Sequence, residues 1–111
     1  MRTSDGTVQA FYEATFSREM GCTEVEWLGW LPAAMGTHHW QRNGQSACVD
    51  IQNADGSQGQ LNLRWQEAQP RRIALISIPR LLVSFQFEGL NDGQRYTFMR
   101  RFDLYMQRGG G

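Results

Sequence analysis

A chain of 111 residues with 41% apolar content and a formal charge of zero fits one domain of ordinary size, able to close a core without metal or disulfide help. All 11 basic residues are arginine, which excludes a lysine Schiff base, a lysine nucleophile and a P-loop lysine. Only Cys22 and Cys48 occur, no apolar run approaches the roughly 18 residues of a membrane span, and no signal peptide follows the charged start. The expectation is therefore a protein with free thiols in a bacterial-type cytoplasm.

The charge is uneven. Residues 1–56 hold three arginines against seven acidic residues, and residues 57–111 hold eight against four. Opposed halves suit two parts of one chain that pack together, or two copies that meet head to tail.

Val8, Phe11, Tyr12, Phe16 and Met20 recur at three- and four-residue steps. The spacing predicts a first helix over about 7–20, capped by Ser4 or Asp5 and ended by Gly21. From Thr23 to Pro32 two patterns compete: Val25 and Trp27 alternate as in a strand, whereas Thr23 with Glu26 makes a capping box for a short helix stopped by Pro32. The strand is the preferred reading, and residues 32–37 read as a connection.

Asn43-Gly44 predicts a type I′ hairpin turn joining Thr37–Arg42 to Gln45–Gln52, in which Val49 and Ile51 share one face. A looser turn at Asp55-Gly56 leads to Gln60–Gln66, where Leu61, Leu63 and Trp65 alternate with polar residues. Pro70 with Arg71 and Arg72 is expected to turn the chain into Ile73–Ile78, a run apolar on both faces and so read as central and covered. Pro79 marks a bend, and 73–88 is read as one long strand in which Leu81, Val83, Phe85 and Phe87 face one side. The last helix is expected over Asp92–Arg108, opened by an Asn91/Gln94 capping box, with Phe98, Phe102, Tyr105 and Met106 on one face. Residues 1–108 thus form one domain, with 109–111 a glycine tail.

Chemistry-bearing residues are sparse. Adjacent His38 and His39 point to opposite faces of a strand, so the spacing gives no metal site, and no cofactor is implied. Ser46, a histidine and Asp50 lack the Gly-x-Ser-x-Gly elbow that would hold a triad, and no catalytic residue is assigned. Four tryptophans (Trp27, Trp30, Trp40, Trp65) could stack bases beside Arg64, Arg71, Arg72 and Arg80, the candidate ligand-binding set. A zero net charge and the absence of a basic run longer than two residues speak for packing instead. Leu82 and Leu104 fall off their elements' apolar faces, and with Arg101 and Arg108 they form the candidate interface.

The segment Leu82–Met106 (LVSFQFEGLNDGQRYTFMRRFDLYM) resembles the end of a PilZ domain, where a Phe-alternating strand runs into a helix. The resemblance implies a six-stranded barrel that binds cyclic di-GMP. The family's Asp/Asn-x-Ser-x-x-Gly motif is missed by one position at Asp55-Gly56-Ser57-Gln58-Gly59, and no upstream Arg-x-x-x-Arg exists, so no ligand residue carries over.

The fold expected is α+β: an N-terminal helix, a strongly bent antiparallel meander of four to five strands like a small Sm-, SH3- or PilZ-type barrel, and a C-terminal helix. The function expected is a non-catalytic protein-interaction or assembly module, homodimeric or bound to another protein and not to a membrane. A nucleic-acid or cyclic-dinucleotide binder using the arginines is the rival.

Overall fold

The computed structural model describes residues 11–110, with side chains as far as Gln107. In chain order its elements are β1 (Thr15–Met20), α1 (Glu24–Met35), β2 (His39–Asn43), β3 (Ser46–Gln52), β4 (Gln58–Ile73), β5 (Ile76–Glu88) and α2 (Asp92–Gly110). The strands form one antiparallel sheet in the order β1-β5-β4-β3-β2. The α+β class and the meander from β2 to β5 are as expected, but several placements are not.

The first correction concerns residues 15–20, expected as the second half of a helix and found as an edge strand along β5. Phe16, Arg18 and Met20 face inward, while Thr15, Ser17 and Glu19 are exposed. Packing explains the choice: the Phe16 ring stacks on Phe85 at 4.6 Å between centroids, and the Arg18 guanidinium lies 5.1 Å from the same ring. The start of the expected helix, with Ser4, Asp5 and Val8, lies outside the described residues.

The second correction concerns residues 24–35, preferred as a strand and found as a helix. The Thr23 Oγ1 accepts from the Glu26 amide at 3.1 Å, and the Glu26 carboxylate accepts from the Thr23 amide at 2.9 Å, so both halves of the capping box form. Pro32 does not end the helix but sits inside it. Its ring removes one internal bond, and burial of Trp27, Leu31, Ala34 and Met35 offsets that loss.

The third correction is to the barrel. Helix α1 takes the chain from β1 at one edge of the sheet to β2 at the other, and these edges do not pair. The sheet stays open, so neither the small barrel nor the one the PilZ resemblance implied is formed. Closure is unnecessary because the helices cover the inner face. Trp27 packs on Trp65 and Phe102, Phe102 on Phe85, and Phe98 on Phe87. Val49, Ile51, Leu61, Leu63, Trp65, Val83 and Phe85 are buried, which is the inward set the alternation predicts. Among the described residues nothing covers the opposite, outer face.

Two turns also differ. Asn43 pairs with Ser46, so the hairpin loop is Gly44-Gln45 and only Gly44 takes positive φ, at 64°. That is the glycine-first pattern of a type II′ turn rather than Asn43-Gly44 in type I′. Likewise Pro70, Arg71 and Arg72 do not turn the chain. They continue β4, and Ile73 pairs with Ile76 around an Ala74-Leu75 loop. Residues 73–78 are therefore the end of a hairpin, not a covered central strand. Helix α2 opens as expected, with Asn91 and Gln94 exchanging side-chain and backbone bonds at 2.9 Å.

Candidate functional site

Strand β1 follows β5 only to Met20 opposite Leu81, and β3 follows β4 only to Ser46 opposite Arg64, with one further bond from the Trp65 amide to the Gln45 carbonyl. Beyond those points β4 and β5 continue as a two-stranded arm with no other ladder neighbour among the described residues. An isolated two-stranded ribbon is marginally stable in water, and its open edges invite pairing. Here the edges are blunted: Pro70 and Pro79 lack the amide hydrogen that edge pairing would use.

The two prolines also set the arm's geometry. Ala68 pairs with Arg80 and Arg71 with Ile78, so Gln69 and Pro70 together oppose Pro79 in a bulge. The Gln69 carbonyl left over there accepts from Arg80 Nη1 at 3.2 Å. The extra residue returns Arg71 to the outer face beside Arg80. Glu19 of β1 accepts from both, from Arg71 Nη2 at 3.0 Å and from Arg80 Nη2 at 3.0 Å. Hydrogen bonding from Arg80, then the charges of both arginines, holds the Glu19 carboxyl below its usual range.

Past this charged girdle the outer face of the arm is apolar. Leu75 is fully exposed, Ile76 is 63% exposed, Ile73 55% and Ile78 37%. Alternation from the pairs Ile73/Ile76 and Arg71/Ile78 puts the three isoleucines on the outer face, with Leu75 at the turn. Ala74 takes a left-handed conformation, φ 55°, which a residue with a Cβ rarely adopts. This loop lacks the glycine or asparagine that usually marks such a turn.

At the base of the arm the same outer face holds a shallow hollow of about 750 Å³, whose walls include Ser17, Ser46, Arg64, Gln66, Leu82 and Ser84. A second hollow of about 490 Å³ adjoins it across Ser46, Arg64 and Ser84 and reaches Cys48. Hydroxyls and amides here stand beside Arg18, Arg64 and the Glu19 carboxylate, with apolar Leu82 and Val83 among them.

The structure thus divides the expected sites. Arg64, Arg71, Arg80 and Leu82 share the outer face, whereas Arg72, opposite Ser77, projects from the other side of the arm. Leu104 and Arg101 lie on α2, in the helix layer, and are not brought near Leu82. The Arg101 guanidinium lies 4.5 Å from the Tyr105 ring and packs on Gly36, where a Cβ would come within 2.7 Å of its Nε. The Arg108 side chain lies outside those described. Trp27 and Trp65 are buried and Trp30 and Trp40 pack against the core, so none joins the arginines.

Other polar clusters serve the fold. Arg18 and the Tyr12 hydroxyl both donate to Asp103 at 2.6 Å, tying the chain around β1 to α2, and burial together with that carboxylate raises the Tyr12 phenol. The Trp65 indole donates to Glu24 at 2.9 Å. His38 packs on Phe98 and accepts the Gln52 amide, and burial and the nearby Arg101 lower its pKa. His39 lies opposite Asp50 on the outer face.

Both thiols are free. Burial, then the Glu26 charge, pushes the Cys22 thiol up to about 11, and burial with Asp50 and Glu88 raises that of half-buried Cys48. A disulfide-forming thiol reagent at neutral pH should modify one cysteine per native chain, slowly, and mass mapping should place it at Cys48. Cys22 should react only after unfolding.

In comparisons with family models, curated proteins and solved structures, nothing matches this chain.

Proposed function

We propose that this protein is a non-catalytic assembly module whose β4–β5 arm is the contact element. One observation supports it above the rest: among the described residues, Leu75 with Ile73, Ile76 and Ile78 forms an exposed apolar end on a two-stranded ribbon. Such a patch is of the order of a few hundred Å², the size at which exposed apolar surface marks a contact site. The expected mode is self-association. The free thiols of Cys22 and Cys48 support the reading of a cytoplasmic protein.

The rival, an arginine-based nucleic-acid or nucleotide site, finds less support. Two of its four arginines are taken by Glu19, a third points away, and no tryptophan stands beside them to stack a base.

Sedimentation velocity of the unaltered chain and of an Ile73→Ser, Leu75→Ser, Ile76→Ser variant tests the proposal. The unaltered protein should associate between low micromolar and sub-millimolar concentrations, and the variant should not, while its thermal midpoint stays within about 2 °C because exposed sites contribute little to stability. Association unchanged in the variant would show that the arm is not the contact element.

A further inference from the structure

We infer that the arm's occupant is a second copy of this chain, docked outer face to outer face about a two-fold axis at the middle of the arm, each copy's apolar end covering Leu82 and the hollow at the base of the other. The inference rests on the arm being the contact element and adds the two-fold geometry and the receiving surface.

Three observations select this occupant. The first is spacing on one face. The Ile73/Ile76 level and the Gln66/Leu82 level lie on the outer face of the same two strands, roughly 20 Å apart at about 3.3 Å per residue. The Pro70/Pro79 bulge stands between them. A two-fold axis through the bulge sets Ile73 and Ile76 of each copy on Gln66 and Leu82 of the other, and places Leu75 in the hollow that Arg64 and Ser84 help to line. Both contacts form at once, as a self-complementary interface requires.

The second is the edges. Pro70 and Pro79 obstruct edge-to-edge pairing along the arm, so a second copy must use the faces. The third is charge. An anionic surface or a nucleic acid would need the girdle's cations free, but Glu19 binds both Arg71 and Arg80. The strip from Leu75 to Ser84 is roughly 30 Å long and 10 Å wide, and its reciprocal contact covers roughly 600 Å² in total. That is the size of a weak, transient interface and predicts a dimer that forms only towards sub-millimolar concentrations.

Cysteine pairing tests the geometry. Within one copy, Ile76→Cys and Leu82→Cys would stand roughly 20 Å apart, far beyond the ~7 Å Cα limit of a disulfide, so any bridge between them joins two copies. In a Cys48→Ser background, mild oxidation of the double variant should give a covalent dimer on non-reducing gels, and either single variant should not. Leu82→Arg, at a half-buried position of the outer face, should weaken dimerisation about tenfold or more while circular dichroism shows the fold retained.

Strong cross-linking by Ile76→Cys alone would mean tip-to-tip contact and overturn the inference. So would a monomer at every concentration, including one whose arm binds phosphatidylserine vesicles and loses them on Ile76→Asp. If the triple serine variant abolishes association while Leu82→Arg leaves it intact and the double variant stays uncrosslinked, the receiving surface is wrong and the arm remains the contact element.

Discussion

Replacing Phe102 by alanine should destabilise the protein by about 3–5 kcal/mol, the usual cost of removing a fully buried aromatic ring. The ring is completely buried, and it joins the two layers. It meets Phe85 of the sheet edge-on at 5.7 Å, Trp27 of α1 at 6.1 Å and Phe98 on its own helix at 5.9 Å. The cavity left would open where three elements meet, so no single neighbour could relax into it. Against a total stability of roughly 5–15 kcal/mol, this should lower the thermal midpoint by more than about 10 °C. Leu104→Ala, two positions along the same helix, is the control, because Leu104 is 46% exposed and its loss should stay within about 0.5 kcal/mol. Guanidinium denaturation of the two variants side by side checks both; equal midpoints would mean that α2 does not lie on the sheet as described.

Much of this arrangement is legible in the residues because periodicity reports which side of an element is buried. Leu61, Leu63 and Trp65, and Leu81, Val83, Phe85 and Phe87, alternate cleanly and all seven are buried. Phe98 and Phe102 are spaced for one helix face, and the Asn91/Gln94 box marks where that helix begins.

The failures have particular causes. In β1 the inward series is Phe16, Arg18, Met20. An arginine at an inward position breaks the apolar alternation, and it is tolerated only because Asp103, distant in sequence, receives its guanidinium at 2.6 Å. With that position discounted, Phe16 and Met20 stand four apart and imitate a helix. In α1 the Thr23/Glu26 box is a sound local signal, but Pro32 overrides it if tertiary burial is left out of the balance. The arm shows the limit most plainly. The run Ile73–Ile78 is apolar whichever strand it occupies, and periodicity cannot count the neighbours beside a strand. The pair Pro70 and Pro79 was the available clue, since two prolines facing each other across a ladder fit an edge or a free ribbon better than the centre of a sheet. Candidate residues divided for the same reason: a face of the sheet could be read, but which elements lie over that face could not.

Arg95 gives the second large expected effect, at a position that neither periodicity nor charge pattern singles out. It is the one buried charged residue among those described, 8% exposed in the first turns of α2. Its Nε donates to the Tyr12 carbonyl at 2.8 Å, its Nη1 to the Leu90 carbonyl at 2.8 Å, and its Nη2 to Asp92. Two of these acceptors are backbone carbonyls flanking β1 and α2, so the side chain fixes the entry of the first strand against the start of the last helix. Methionine would fill much of the volume but leave both carbonyls without a donor, at a cost of about 1–3 kcal/mol for each group that water cannot reach. Asp92 is 74% exposed and can return to solvent, so its lost pairing adds little. The expected loss for Arg95→Met is therefore about 3 kcal/mol, read as a shift in denaturation midpoint. Lysine keeps the charge without the planar fork and can serve one carbonyl well but not both, so Arg95→Lys should fall between methionine and the unaltered chain. If lysine restored full stability, the role of Arg95 would be its charge alone. If methionine cost less than about 1 kcal/mol, water would be reaching both carbonyls, and the junction of β1 with α2 would be looser than the hydrogen bonds described.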